Sequence, residues 1–244
     1  MTASTNIPSL KLLRFAPFLQ PLVSLLYRKS VPALKKVVMG IPFPGPVGVA
    51  AGIDKRGEFT DAIACYSPSF VEIGPLRDVM PAIGNLQNRS SGIVVLANLS
   101  NNKTIERSFS LIYDFVDCIV LNVSSGSSVS RIIDHLLELR RYNDTYKPII
   151  FKLFPDLSPA ELDEIAAYML GSGIDGIMVG AEFVEMIREK TQGLLPVIAI
   201  AEVSSPERAA QMLDGGASLV AVTNSPLHYG PTFIKRILKY LEKR

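Results

Sequence analysis

The chain has 244 residues, of which 48% are apolar and 20% charged, a length and composition that exclude a mainly disordered protein and allow a large core. Two cysteines, Cys65 and Cys118, exclude a disulfide framework or a cysteine-rich metal cluster. The net charge of +2 hides an asymmetry: residues 1–40 carry Lys11, Arg14, Arg28, Lys29, Lys35 and Lys36 and no acid, which leaves 19 basic and 23 acidic residues, a net charge of −4, on the remainder.

The leader comes first. Its apolar stretch from Phe15 to Tyr27 is bordered by positive charge, which suits anionic lipid headgroups. At 13 residues, broken by Pro17 and Pro21, it falls short of the roughly 20 residues that cross a bilayer. A pair of short helices folded back on the body is the equal alternative. No signal-peptide cleavage pattern is present, so the expected address is the reducing cytosol, with peripheral contact at the inner face of the cytoplasmic membrane. Ile41-Pro-Phe-Pro-Gly-Pro46 reads as a breaker-rich joint, dividing a basic helical leader (1–45) from a second unit (46–244).

From Pro46 onward short apolar runs alternate with helical patterns. Strands are predicted at Val47–Ala51, Phe70–Ile73, Ile93–Leu99, Cys118–Val123, Ile149–Phe154, Gly176–Gly180, Val197–Val203 and Leu219–Thr223. Helical spacing marks Glu58–Tyr66, Lys103–Val116, Val129–Arg141, Ala160–Leu170, Phe183–Lys190, Pro206–Asp214 and Thr232–Lys243. Ser158-Pro-Ala-Glu161 is a capping box, and Ser205-Pro206 opens the next helix in the same manner. Continuous apolar strands need cover on both faces. Eight βα units with such strands predict an α/β fold, a closed (β/α)8 TIM barrel, with a doubly wound open sheet as the alternative.

In the closed barrel ligands meet the carboxyl ends of the strands. Side chains two apart on a strand share a face, so Leu96 and Asn98, Val120 and Asn122, and Ile150 and Lys152 are paired. Asn98, Asn122 and Lys152 thus crowd one mouth as a donor-rich floor for an anionic or carbonyl-bearing planar ligand. The bland reading has each amide tying down its own loop and Lys152 paired with a carboxylate. After the first strand, Ala50, Ala51 and Gly52 permit close approach by a ring system, and Lys55 can reach a substrate anion, unless this is an ordinary turn with Asp54 capping the next helix. His135 and His228 stand apart without metal-ligand spacing, so no metal is expected.

Several strings, in order, carry a resemblance: Gly-Val-Ala-Ala-Gly-Ile-Asp-Lys-Arg-Gly (48–57), Phe-Val-Glu-Ile-Gly (70–74), Asn-Leu-Ser-Asn-Asn-Lys-Thr (98–104), Leu-Asn-Val-Ser-Ser (121–125), Phe-Lys-Leu-Phe-Pro-Asp-Leu-Ser (151–158), Gly-Ile-Asp-Gly (173–176) and Gly-Ala-Ser-Leu-Val (216–220). From Pro46 to the end the chain resembles the membrane-associated, class 2 dihydroorotate dehydrogenases. The resemblance implies a TIM barrel that binds FMN over the strand ends. It further implies oxidation of dihydroorotate to orotate in pyrimidine biosynthesis, with a quinone as electron acceptor. An N-terminal helical segment at the membrane accords with it; no nucleic-acid partner is expected.

By motif, Ser125 matches the catalytic base, where the soluble classes carry a cysteine. Lys55 and Asn122 match substrate-binding positions, and Asn88 matches a further one. Asn98 and Lys152 match residues that contact the flavin, beside Ala50, Ala51, Gly52 and Asn122. The chain also departs from the family. Gly74-Pro75 replaces Gly-Thr, Ser124–Ser128 replaces Ser-Ser-Pro-Asn-Thr, and Gly180-Ala-Glu-Phe183 replaces a Thr-Asn-Thr-Thr stretch. Ala201-Glu202 stands where a glycine pair cradles the FMN phosphate, Val222-Thr-Asn-Ser225 departs in the phosphate region, and the long segments after the second and sixth strands are largely missing. The alternative function is therefore a non-catalytic relative that has lost FMN, with Glu202 neutralising Lys152 or Lys55 and a ligand-binding or regulatory role. A smaller phosphate-free anion held by the two lysines is a third reading.

Overall fold

The computed structural model describes residues 8–27, 31–100, 103–123, 129–153, 158–223 and 232–244. Eight parallel strands close on themselves: β3 (Val47–Asp54), β4 (Phe70–Leu76), β5 (Val94–Leu99), β6 (Cys118–Val123), β7 (Ile149–Leu153), β8 (Gly176–Gly180), β9 (Val197–Ala201) and β10 (Leu219–Val222), with β10 paired to both β9 and β3. The expected TIM barrel is thus the fold, and the open sheet is excluded by the β10–β3 pairing. Around it run α3 (Thr60–Ala64), α4 (Met80–Leu86), α5 (Ile105–Ile112), α6 (Val129–Arg141), α7 (Pro159–Ser172), α8 (Val184–Lys190), α9 (Pro206–Asp214) and α10 (Phe233–Glu242). Ser158 accepts from the Glu161 amide while Glu161 reaches back to the Ser158 amide, the reciprocal box that starts α7. Ser205 accepts from the Arg208 amide at the start of α9.

The strands are apolar throughout because each has two covered faces. One set of side chains packs outward against the helices. The other fills the barrel: Ala50, Phe70, Val94, Leu96, Cys118, Val120, Ile150, Met178, Ile198, Leu219 and Ala221 form a separate buried cluster. Gly48 is required by this filling, since a Cβ there would lie 2.4 Å from the Phe70 ring.

The joint expected at 41–46 is instead half of a hairpin. β1 (Lys36–Val38) and β2 (Ile41–Phe43) pair antiparallel, joined through Met39 and Gly40 with φ of 54° and 79°. Successive positive φ values are the turn geometry that matches strand twist. The hairpin stoppers the amino-terminal end of the barrel: Val38 and Phe43 join the interior cluster, and Phe43 meets Phe70 edge to face at 5.8 Å. Pro42 is tolerated because a two-stranded ribbon consists of edges.

Ahead of the hairpin, α1 (Pro8–Phe15) and α2 (Gln20–Tyr27) pack against α3. Leu10 and Leu13 enter the main core, and Arg14 pairs with Glu58. The same segment also carries open apolar residues: Phe15 on α1, Phe18 in the 3-10 turn Pro17–Leu19 between the helices and Leu25 on α2 are each more than three-quarters exposed. The reading of short helices folded back on the body thus describes the packed face. Among the described residues no helix is long and apolar enough to cross a membrane.

Candidate functional site

Alternation along the strands decides what the mouth contains. Two residues beyond each interior apolar residue, the next inward position falls at the carboxyl end. On β4 to β7, four successive strands, that position is polar: Phe70 is followed by Glu72, Leu96 by Asn98, Val120 by Asn122, and Ile150 by Lys152. These side chains form one bonded arc. Lys152 Nζ lies 2.7 and 3.0 Å from Glu72 Oε1 and Oε2, and Asn98 Nδ2 donates to Oε1 at 2.6 Å. The Ala51 amide donates to Oε2 at 2.8 Å, and Asn122 Nδ2 donates to Asn98 Oδ1 at 2.8 Å.

Glu72 is the centre of this arc and is wholly buried, while the Lys152 side chain is 13% exposed. Burying two charges costs several kcal/mol per ion unless they meet and their remaining hydrogen-bonding positions are filled. Both conditions hold, because the carboxylate receives the ammonium, an amide and a backbone N–H. One polar atom is left over: Asn122 Oδ1 is buried and has no partner among the described residues.

The expected gathering of Asn98, Asn122 and Lys152 is present. The floor carries no net charge, because Lys152 is paired with a carboxylate as the bland reading had it, and that carboxylate is Glu72. Glu202, offered as that neutralising group, is exposed just beyond β9 and makes no ion pair among the described residues. Sequence reasoning passed over Glu72, although the two-apart rule applied from Phe70 finds it.

The other expected residues divide. Ala50 is buried in the barrel interior, and the Ala51 amide is committed to Glu72. Gly52, with φ of 100°, faces open space where a Cβ would stand. Lys55 is exposed beyond β3 and makes no ion pair among the described residues. Asp54 organises this loop: its carboxylate accepts from the Glu58 and Phe59 amides and the Thr60 hydroxyl. Burial pushes its carboxyl above the usual range against the pull of those bonds. Asn88 is not brought to the mouth. It is exposed after α4, donates to Gly84 O, and precedes Arg89, which bonds Ile93 O on the way into β5. Ser125 and His228 lie outside the described residues.

The opposite half of the mouth is small or apolar at the strand ends, with Gly180 on β8 and Ile200 on β9 in register. Carboxylates follow directly on both. Glu182 folds back over Gly180, where a Cβ would lie 2.6 Å from its Oε1, and Glu202 follows Ala201. The mouth therefore joins a neutral, hydrogen-bonding arc to a small, apolar half edged by acid. A flat heterocycle with donors and acceptors along one edge is the shape of ligand this arrangement can hold.

A closed (β/α)8 barrel with a polar arc at its carboxyl end defines a ligand-binding class, and comparison with known proteins narrows it. No family model matches the chain. It is 25% identical over 300 aligned positions to dihydroorotate dehydrogenase (quinone) of Baumannia cicadellinicola subsp. Homalodisca coagulata, covering 88% of this chain and 89% of that protein. It is 23% identical over 316 positions to the protein of the same name from Proteus mirabilis, covering 95% and 93%. Both alignments are longer than the 244-residue chain, so gaps run through it, as segments shortened between strands require. Its fold matches DHODH from Eimeria tenella in complex with ferulenol, with a TM-score of 0.74, 19% identity, and 95% of this chain and 90% of that chain covered. The ligand-free Eimeria tenella structure gives the same TM-score. The chain is a divergent relative of the dihydroorotate dehydrogenases (quinone).

Proposed function

We propose that this chain is a dihydroorotate dehydrogenase-like oxidoreductase that converts dihydroorotate to orotate over a flavin held at the barrel mouth, in pyrimidine biosynthesis, with a quinone as electron acceptor. The observation that carries the reading is the Glu72–Lys152–Asn98–Asn122 arc, set on four consecutive strands in a chain whose curated relatives bear that name. The fit to the cofactor is divided. A flavin ring suits the residues present: Gly52 leaves open space for a planar system, the unpartnered Asn122 Oδ1 accepts an imide N–H, and Lys152 lies at the edge of the same arc. A phosphate does not suit the ends of β8 and β9, where Glu182 and Glu202 stand.

Bound there, a flavin supplies a two-electron acceptor that takes hydride from the substrate. The chain's own residues do the rest. Lys55, free of ion pairs among the described residues, reaches for the substrate carboxylate. Asn122 orients the ring, Lys152 and Asn98 hold the flavin edge, and Ser125 receives the proton lost as the carbon–carbon double bond forms. A hydroxyl is a weak base, so that last role requires a closed, water-poor pocket with a relay for the proton. Asn88 has no part in this proposal.

The purified protein, incubated with flavin and freed of excess, should keep a visible flavin band that bleaches when dihydroorotate is added without oxygen. Ser125→Ala should keep the band and lose the bleaching. A chain that takes up no flavin would favour a second reading, a non-catalytic relative with a binding or regulatory role, for which the carboxylates at the ends of β8 and β9 are the specific support.

The leader belongs to the same proposal. Phe15, Phe18 and Leu25 are open apolar residues on a segment whose first helix carries Lys11 and Arg14, suited to lying in a membrane surface where a quinone dissolves. Replacing all three by serine should abolish sedimentation with anionic vesicles and leave the thermal midpoint unchanged, since none of them packs on the barrel. Undiminished sedimentation would remove the leader from membrane binding.

A further inference from the structure

We propose that Glu72 is a positioning residue that fixes the amide of Asn122 with its oxygen toward the ligand, so that the site takes a cyclic imide by its N–H; the inference rests on the flavin reading above and says how this chain recognises that ring. Donor direction along three side chains carries it. A carboxylate only accepts hydrogen bonds, whereas a primary amide donates from its nitrogen and accepts at its oxygen. Glu72 is wholly buried and bound through both oxygens to Lys152. Asn98, 2% exposed, therefore turns its nitrogen to Glu72 and donates to Oε1 at 2.6 Å. Its oxygen is left facing Asn122, which must offer nitrogen in turn and donates to Asn98 Oδ1 at 2.8 Å. What remains is Asn122 Oδ1, the buried atom without a partner.

Nothing on Asn122 itself dictates that outcome, because the amide torsion of an asparagine is broad and roughly two-fold. Its direction is set two strands away, through links where an amide turned the wrong way would put donor against donor. The chain starts from a group that cannot turn, since the Ala51 backbone N–H donates to Glu72 Oε2 at 2.8 Å. The same fixed donor predicts the behaviour of Glu72→Gln. The side-chain oxygen stays with the Ala51 N–H, which puts the new nitrogen toward Asn98. Both asparagine amides then turn over, and Asn122 presents its nitrogen to the ligand.

The two directions differ in sign at an ionisable ring. An oxygen facing the imide N–H favours the neutral imide and repels the ionised one, whereas a nitrogen there favours the ionised one. The pH at which bound flavin loses its imide proton thus reads the direction of Asn122.

The test follows the visible spectrum of riboflavin bound at saturation to the full chain as pH is raised. In the unaltered chain the imide should ionise at least about one pH unit above free riboflavin, the shift that one hydrogen bond supports. Asn98→Ala, and Asn98→Leu, which keeps the volume, cut the chain and leave the charged groups at the strand ends, Glu72, Lys152, Lys55, Glu182 and Glu202, in place. Asn122 is then free to donate to the ionised ring, and the shift should fall by about half or more. Loss of a direct bond from the Asn98 N–H groups to the ring would instead move ionisation upward, so the sign separates the two roles. Glu72→Gln, which also removes a negative charge, should lower it further. An imide that ionises bound as it does free, or a shift that survives both Asn98 changes, overturns the inference while the flavin reading stands. Absence of binding by both riboflavin and FMN overturns both.

Discussion

Glu72→Gln should lower the unfolding free energy by about 3–5 kcal/mol, because it removes one partner of a buried ion pair and leaves the other charge in place. The loss has two sources. Lys152, 13% exposed, would have its charge uncompensated inside the barrel mouth. The Glu72 carboxylate also receives four contacts, from Lys152 Nζ at both oxygens, Asn98 Nδ2 and the Ala51 amide. An amide replaces one accepting oxygen with a donor, so at least one of those donors would face another donor. For a domain of this size each kcal/mol moves the midpoint by roughly 2–4 °C, so a fall of roughly 10 °C is expected.

The companion variant separates charge burial from packing. Glu72→Met combined with Lys152→Met removes both charges and keeps volume, and apolar replacement of a buried pair is often neutral or stabilising. The double variant should therefore regain the part of the loss that comes from the stranded charge, and not the part that comes from the Asn98 and Ala51 donors, which it leaves without an acceptor, while flavin affinity stays lost with the polar arc. A double variant as unstable as the sum of its singles would show that the two side chains do not act as a pair.

How much of this site was legible follows from one rule applied unevenly. The two-apart alternation found Asn98, Asn122 and Lys152 because each sits near the visible end of an apolar run. Glu72 lies between Val71 and Ile73 and reads as an isolated charge in an apolar strand, so its inward direction is missed unless the count starts at Phe70. A carboxylate partner for Lys152 was among the readings, but its identity was unreadable for the same reason, since Glu72 was overlooked. Glu202 shows the reverse error: its place after β9 is legible, but a residue beyond a strand end is not held to the strand's alternation, and it faces solvent.

The barrel strands and two of the helices were readable from their period, which at α9 the Ser205 cap supports. Val129–Arg141 and Pro206–Asp214 have the bounds that the pattern predicts. α4 was not, since Met80-Pro-Ala-Ile-Gly-Asn-Leu86 holds a glycine of low helix propensity and spans barely two turns. The hairpin was masked by its own chemistry. Three-residue strands, one holding Pro42 and bounded by Gly40 and Pro44, carry breaker signals, and packing against Phe70 holds them in place.

That dependence predicts the other large effect. Phe43→Ala should cost about 3–5 kcal/mol, the range for emptying a fully packed aromatic site. Phe43 is buried to 1% exposure and meets Phe70 edge to face, so the vacated space lies inside the barrel stopper, where the walls are strands that cannot collapse inward. A two-stranded ribbon is marginal alone, and loss of its main anchor should free it. Limited proteolysis should then cut first within residues 36–46, which the unaltered chain protects. Phe43→Leu, which keeps an apolar side chain there, should lose much less. Flavin affinity measured below the midpoint should be unchanged in both Phe43 variants, because the stopper and the polar arc lie at opposite ends of the barrel. Glu72→Gln should reduce stability and affinity together. A Phe43→Ala protein that kept its midpoint would show that β1 and β2 rest on the barrel without stabilising it.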